Sequence, residues 1–120
     1  MSEPLFDVNL QQLPDEYLTG EWCVANRVLN RGNPDSPLAQ ATRLSLRPGT
    51  VQVHTPGQQD SGQWQVLRDE LLSRPYLELM LLQEETRALI TRLRRSADGL
   101  ESQLNLYFQS GMELQLVCPC

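Results

Sequence analysis

The stretch PYLELMLLQEETRALITRLRR, Pro75 to Arg95, decides how this chain folds. Two periodicities compete in it. Leu79, Leu82, Thr86, Leu89, Ile90 and Leu93 fall at helical spacing, among Glu, Gln, Met, Ala and Arg residues that favour helix. Pro75 suits the start of such a helix and Asp98-Gly99 its end. Against this, Leu77, Leu79 and Leu81 alternate strictly. That pattern predicts a strand from Tyr76 to Leu82, a turn around Gln83-Glu84-Glu85, and a second strand from Arg87 to Arg94. The strand lengths match the elements on either side, and tertiary context often overrides helix propensity. The strand reading makes the chain all-β, an antiparallel meander closing into a small barrel. The alternative is α+β, an antiparallel sheet with one long helix at about 74–95.

Downstream, Leu104, Leu106 and Phe108 share one face, as do Met112, Leu114, Leu116 and Cys118. Only Ser110-Gly111 separates the two runs, which predicts a hairpin with a two-residue turn. Upstream, Glu21 to Leu29 reads as a strand. Trp22, Val24, Asn26 and Val28 lie on one face, and Cys23, Ala25, Arg27 and Leu29 on the other. It ends at the loop Asn30-Arg31-Gly32-Asn33-Pro34-Asp35. Ala41 to Leu46 and Val51 to His54 flank a tight turn at Pro48-Gly49. After a polar loop from Gly57 to Gly62, Gln63 to Leu67 puts Trp64 and Val66 on one side. Residues 1–19 are polar and read as an N-terminal extension, with one helical turn at Asp15 to Leu18 over an end of the domain. Residues 20–120 form a single barrel domain.

At 120 residues the chain is one domain by length, and it can bury a core without metal or disulfide staples. Mean hydropathy is -0.39 and no apolar run approaches the roughly 20 residues of a membrane helix. Met1-Ser2-Glu3-Pro4 lacks the basic, then apolar, pattern of a secretory leader, so a soluble cytoplasmic protein is expected. The formal net charge is -5, which opposes the clustered positive charge that phosphate backbones require. No nucleic-acid partner is expected. All ten cations are Arg, and the one cluster, Arg92, Arg94 and Arg95 with Arg87 upstream, reads as a solvated face.

Cys23, Cys118 and Cys120 make an odd count, which argues against a disulfide framework, so free thiols are expected. Strand parity also separates Cys23 from Cys118. Cys118-Pro119-Cys120 offers two thiolates, but zinc wants four ligands, and the spacing does not bring in Cys23 and His54. No metal or cofactor is expected. His54 reads as an exposed strand-end residue without the positioned partner a general base needs. No glycine spacing matches a phosphate loop, and neither Ser-Gly pair is a nucleophile elbow. The chain reads as non-enzymatic.

Leu18-Thr19-Gly20-Glu21-Trp22 opens the first long strand with Gly-x-Trp, and Gly62-Gln63-Trp64 repeats it mid-chain. This pattern resembles small lipocalin-like (calycin) barrels, in which the first-strand Trp packs across one end. The resemblance spans Gly20 to about Cys118 and implies architecture more than activity. Gly20-Glu21-Trp22 with Arg27 is also similar to the lyases that attach bilins to phycobiliproteins, which implies chromophore attachment as a minor alternative.

Two further expectations follow. As an accessory protein (chaperone, inhibitor or assembly factor), the chain meets a protein partner, or copies of itself, through Tyr76, Met80, Leu82 and Ile90, with Arg87, Arg92 and Arg94 at the rim. As a carrier of a small apolar ligand such as a lipid or tetrapyrrole, it encloses cargo with Trp22, Val24, Trp64, Val66, Leu104, Leu106, Leu114 and Leu116.

Overall fold

The deciding stretch is extended. Pro75–Leu81 and Glu85–Ser96 are adjacent antiparallel strands, with Leu79 opposite Thr86 and Tyr76 opposite Leu89. Alternate residues of the first strand, Leu77, Leu79 and Leu81, enter one core with Ala88, Ile90 and Leu93 of the second. Each leucine so buried contributes roughly 1.5–3 kcal/mol. That exceeds the few tenths per residue by which these side chains prefer helix.

The structure, a computed structural model, describes residues 4–120. The leader reading rests on residues 1–3 and lies outside that range. In chain order the elements are β1 (Leu5–Asp7), β2 (Gly20–Val28), the short helix α1 (Pro37–Gln40), β3 (Arg43–Arg47), β4 (Thr50–Thr55) and β5 (Gln58–Arg68). Then follow β6 (Pro75–Leu81), β7 (Glu85–Ser96), β8 (Ser102–Phe108) and β9 (Glu113–Cys118). Each of β2 to β8 pairs antiparallel with the strand that follows it, and β9 returns to β2, which closes an eight-stranded barrel. Closure leaves no exposed sheet edge among those eight.

The segment before Gly20 is drawn into the barrel. β1 pairs with the far end of β7, Leu5 opposite Ser96, and Asp7 accepts from Arg92 Nε at 3.0 Å. Asp15–Leu18 forms a 3-10 turn over one barrel end, where Leu13 and Leu18 join the core. Trp22 Nε1 donates to the Leu18 carbonyl at 2.8 Å, which ties the turn to β2. Gly20 has φ +147, and a Cβ there would meet Cys118 Sγ at 3.0 Å, so the Gly-x-Trp glycine is a packing requirement. At the other end α1, with Pro37 in its first turn, buries Leu38 and Ala39. Glu84 accepts from Leu38 N at 3.3 Å and from Ser36 Oγ.

Several expectations are corrected. Gln58 to Gly62 is strand, because it completes the pairing with Thr50–Thr55. Gly62 sits so close to the backbone of Met80 that no Cβ fits there. The β8–β9 connection has four residues, Gln109 to Met112, closed by Phe108 N donating to the Met112 carbonyl at 2.8 Å. β2 bulges between Val24 and Asn26, which reverses its parity. Arg27 therefore shares the face of Leu114 and donates to the Ala41 carbonyl, while Asn26 and Val28 turn outward. Cys23 is not free: it is disulfide-bonded to Cys120, Cα–Cα 5.1 Å, and Cys118 is the remaining thiol. The parity rule that separates Cys23 from Cys118 does not bind Cys120, which lies two residues past the end of β9.

Candidate functional site: an aromatic groove on the outer wall

β7 carries a second bulge, between Ile90 and Arg92. It lets Ala88, Ile90 and Leu93 all face the core, so Ile90 is 2% exposed and leaves the expected partner surface. Leu89 takes an outward position instead. In register, Tyr76 of β6 lies opposite Leu89 of β7, and Leu89 opposite Tyr107 of β8. The row continues to Leu67 on β5 in one direction, and through Glu113 to Val28 in the other. An outward rank, apolar except for Glu113 between Tyr107 and Val28, thus runs around the outside of the barrel, with Tyr107 at 47% and Val28 at 45% exposure.

Its centre is a groove of about 380 Å³ lined by Tyr76, Leu89, Tyr107, Phe108, Arg74 and Arg87, together with Asp69 and Gln109. The Arg87 guanidinium lies 5.6 Å from the Tyr76 ring centre and pairs with Glu78 at 3.1 Å. Arg74 pairs with Asp69 at 3.1 Å. The Leu72 amide, with help from Arg74, holds the Asp69 carboxyl below its ordinary range, so it stays charged. Two aromatic rings and a leucine beside two ion-paired guanidinium groups suit an apolar or aromatic side chain.

The other expected partner residues divide. Met80 is half-buried on β6, and Leu82 stands 85% exposed at the β6–β7 turn. Arg92 and Arg94 are engaged with Asp7, and the Arg95 guanidinium lies 3.7 Å from the Tyr17 ring centre. That part of the arginine cluster clamps the N-terminal segment to β7. Of the expected ligand row, Trp22, Trp64, Leu104, Leu106, Leu114 and Leu116 are buried in one continuous cluster. Val24 and Val66 pack against it.

A polar chain on the opposite wall has the residue types of a hydrolytic site. Gln59 Nε2 donates to His54 Nδ1 at 3.1 Å, so the ring proton sits on Nε2, 3.3 Å from Ser45 Oγ. Ser45 in turn donates to Glu21, which also accepts from Arg43 Nε at 3.2 Å. The protons point from imidazole to hydroxyl to carboxylate. A nucleophilic serine needs the reverse, its proton directed at the imidazole. The Ser45 hydroxyl, followed by Arg43 and Arg47, holds the Glu21 carboxyl below its ordinary value of 4.5. A depressed carboxyl stabilises the fold above the unfolded-state value, and that contribution is lost as pH falls through the folded one. Urea midpoints of the native protein should therefore decline more steeply on acidification below about 4.5 than those of Glu21→Gln. Parallel curves would contradict the assignment.

Burial pushes the Cys118 thiol upward, which disfavours a nucleophilic thiolate there. Among the described residues, no group of three or more His, Cys, Asp or Glu is placed to hold a metal ion, and no helix is long and apolar enough to cross a membrane. The chain matches no protein-family model, no curated protein and no solved structure.

Proposed function

We propose that this protein is a non-enzymatic barrel of lipocalin-like kinship that works through protein–protein contact on its outer wall, as a chaperone, inhibitor or assembly factor. The single observation that carries the reading is the Tyr76–Leu89–Tyr107 rank. These large apolar side chains occupy consecutive register positions on the solvent side of a closed barrel, in a groove rimmed by arginines. Exposed apolar patches with a polar rim commonly mark partner sites, and Tyr and Arg are the side chains most enriched at their centres. The kinship is supported by the eight-stranded meander and by Trp22 of Gly20-Glu21-Trp22 packing across one end.

The carrier and bilin-lyase-like alternatives both need room inside. The continuous packing from Leu18 and Trp22 to Leu38 and Met112 weighs against them. A cytoplasmic site has to be squared with Cys23–Cys120, because such bonds are opposed by reducing cytosol.

A photo-crosslinking residue at position 107 in the native host, with position 52 on the polar wall as control, tests the reading. The expected result is one defined protein adduct from position 107 and none from 52. Native mass spectrometry of the untagged protein then reads partner, ligand and disulfide together. A retained small apolar ligand, with no protein adduct from either position, would overturn the proposal in favour of the carrier.

A further inference from the structure

The second Gly-x-Trp, Gly62-Gln63-Trp64, plays no part in the outer groove. Its tryptophan instead meets a cleft at the barrel end covered by the 3-10 turn of Asp15–Leu18. The cleft has a volume of about 360 Å³ and lies between that turn and the β3–β4 turn, lined by Trp64, Pro48, Gly49, Thr19, Asp15 and Glu16. Among these residues Trp64 alone is buried, at 6% exposure, and it forms the floor.

Both walls are held in place. Trp64 Nε1 donates to the Arg47 carbonyl at 2.7 Å, and Trp64 N donates to the Gly49 carbonyl at 3.3 Å, so the β3–β4 turn and the indole form one unit. Across the cleft, Thr19 N and Oγ1 both donate to the Glu16 carbonyl, at 3.3 and 2.8 Å. With its N–H engaged, the indole offers the cleft its π system. The rim is negative. Asp15 and Glu16 are exposed, and among the described residues neither carboxylate is in an ion pair. Arg47, next to Pro48, is turned to Glu21 at 3.6 Å.

An indole floor beneath two uncompensated carboxylates attracts a cation, and Trp is the most favourable ring for that contact. Pro48, the Thr19 methyl and the indole also make the lining largely apolar. A compact primary ammonium is strongly hydrated and loses that water at high cost, whereas an alkylated one gives up less. We propose that this end cleft is a binding site for a small methylated ammonium ion, seated on Trp64 with Asp15 and Glu16 at its rim. Its volume lies within the roughly 300–1,000 Å³ of small-molecule sites. It shares no lining residue with the outer groove, so the two sites stand or fall separately.

Isotope-labelled protein titrated with choline chloride at constant ionic strength, and read by NMR at the Trp64 indole N–H, tests this. The resonance should shift and saturate with choline. Ammonium chloride and dimethylbutanol, the neutral carbon isostere of choline, should leave it in place at the same concentrations. Asp15→Asn combined with Glu16→Gln, both at exposed positions, should weaken choline binding at least about fivefold, with circular dichroism verifying the fold. No saturable shift, equal binding of the neutral isostere, or a double variant that binds as well as the wild type would each overturn the proposal. Arginine amide shifting the resonance where choline does not would overturn it in favour of a docked basic side chain.

Discussion

Replacing Trp22 by Ala is expected to lower the unfolding free energy by about 3–5 kcal/mol, the largest single-residue effect in this protein. The side chain is fully buried at the barrel end, in one cluster with Leu18. Truncation leaves a cavity there and removes the side-chain hydrogen bond that ties the 3-10 turn to β2, Nε1 to the Leu18 carbonyl. Trp22→Phe separates the two contributions. It keeps much of the apolar volume but orphans the buried carbonyl, at a cost of about 1–3 kcal/mol. Chemical denaturation followed by circular dichroism gives both values. A Trp22→Ala protein within about 1 kcal/mol of the wild type would mean that the end of the barrel is not closed in the way described.

Opening the Cys23–Cys120 disulfide should cost about 2–4 kcal/mol. The bond joins residues 97 positions apart, so it links the first long strand to the segment after β9 and closes a long loop in the unfolded chain. It also fastens the tail beyond β9, the strand whose pairing with β2 closes the barrel. Denaturation midpoints with and without a phosphine reductant measure the effect, and Cys23→Ser should reproduce it without reductant. Cys118→Ser should retain the sensitivity to reductant, since Cys118 is the free thiol. Equal midpoints in oxidising and reducing buffer would rule the bond out as a stabilising link.

The candidate site was only half legible. Tyr76, Leu82 and Arg87 could be placed on an outer surface because β6 alternates without interruption and the turn after it is short. Ile90, expected on the partner surface, faces inward and Leu89 outward, because one extra residue at the Thr91 bulge inverts which of them faces the core. The signal available for Tyr107 was its position between Leu106 and Phe108, which places an aromatic ring on the polar side of β8. Its significance depends on Tyr76 and Leu89 being brought beside it, and they come from strands 18 or more residues away.

Outside residues 75–95, where a helical period competed and core burial decided for strand, alternation of leucine with polar residues, interrupted by Gly, Pro and Asn, was enough on its own to specify strands and most of their faces. Those features are local: each follows from a side-chain period of two and from turn chemistry within a few neighbouring residues. Register, the two bulges, the closure of β9 on β2, the Cys23–Cys120 bond and the outer aromatic rank were decided by the tertiary structure. Each depends on which distant backbone comes alongside, and that is fixed by packing the whole core at once.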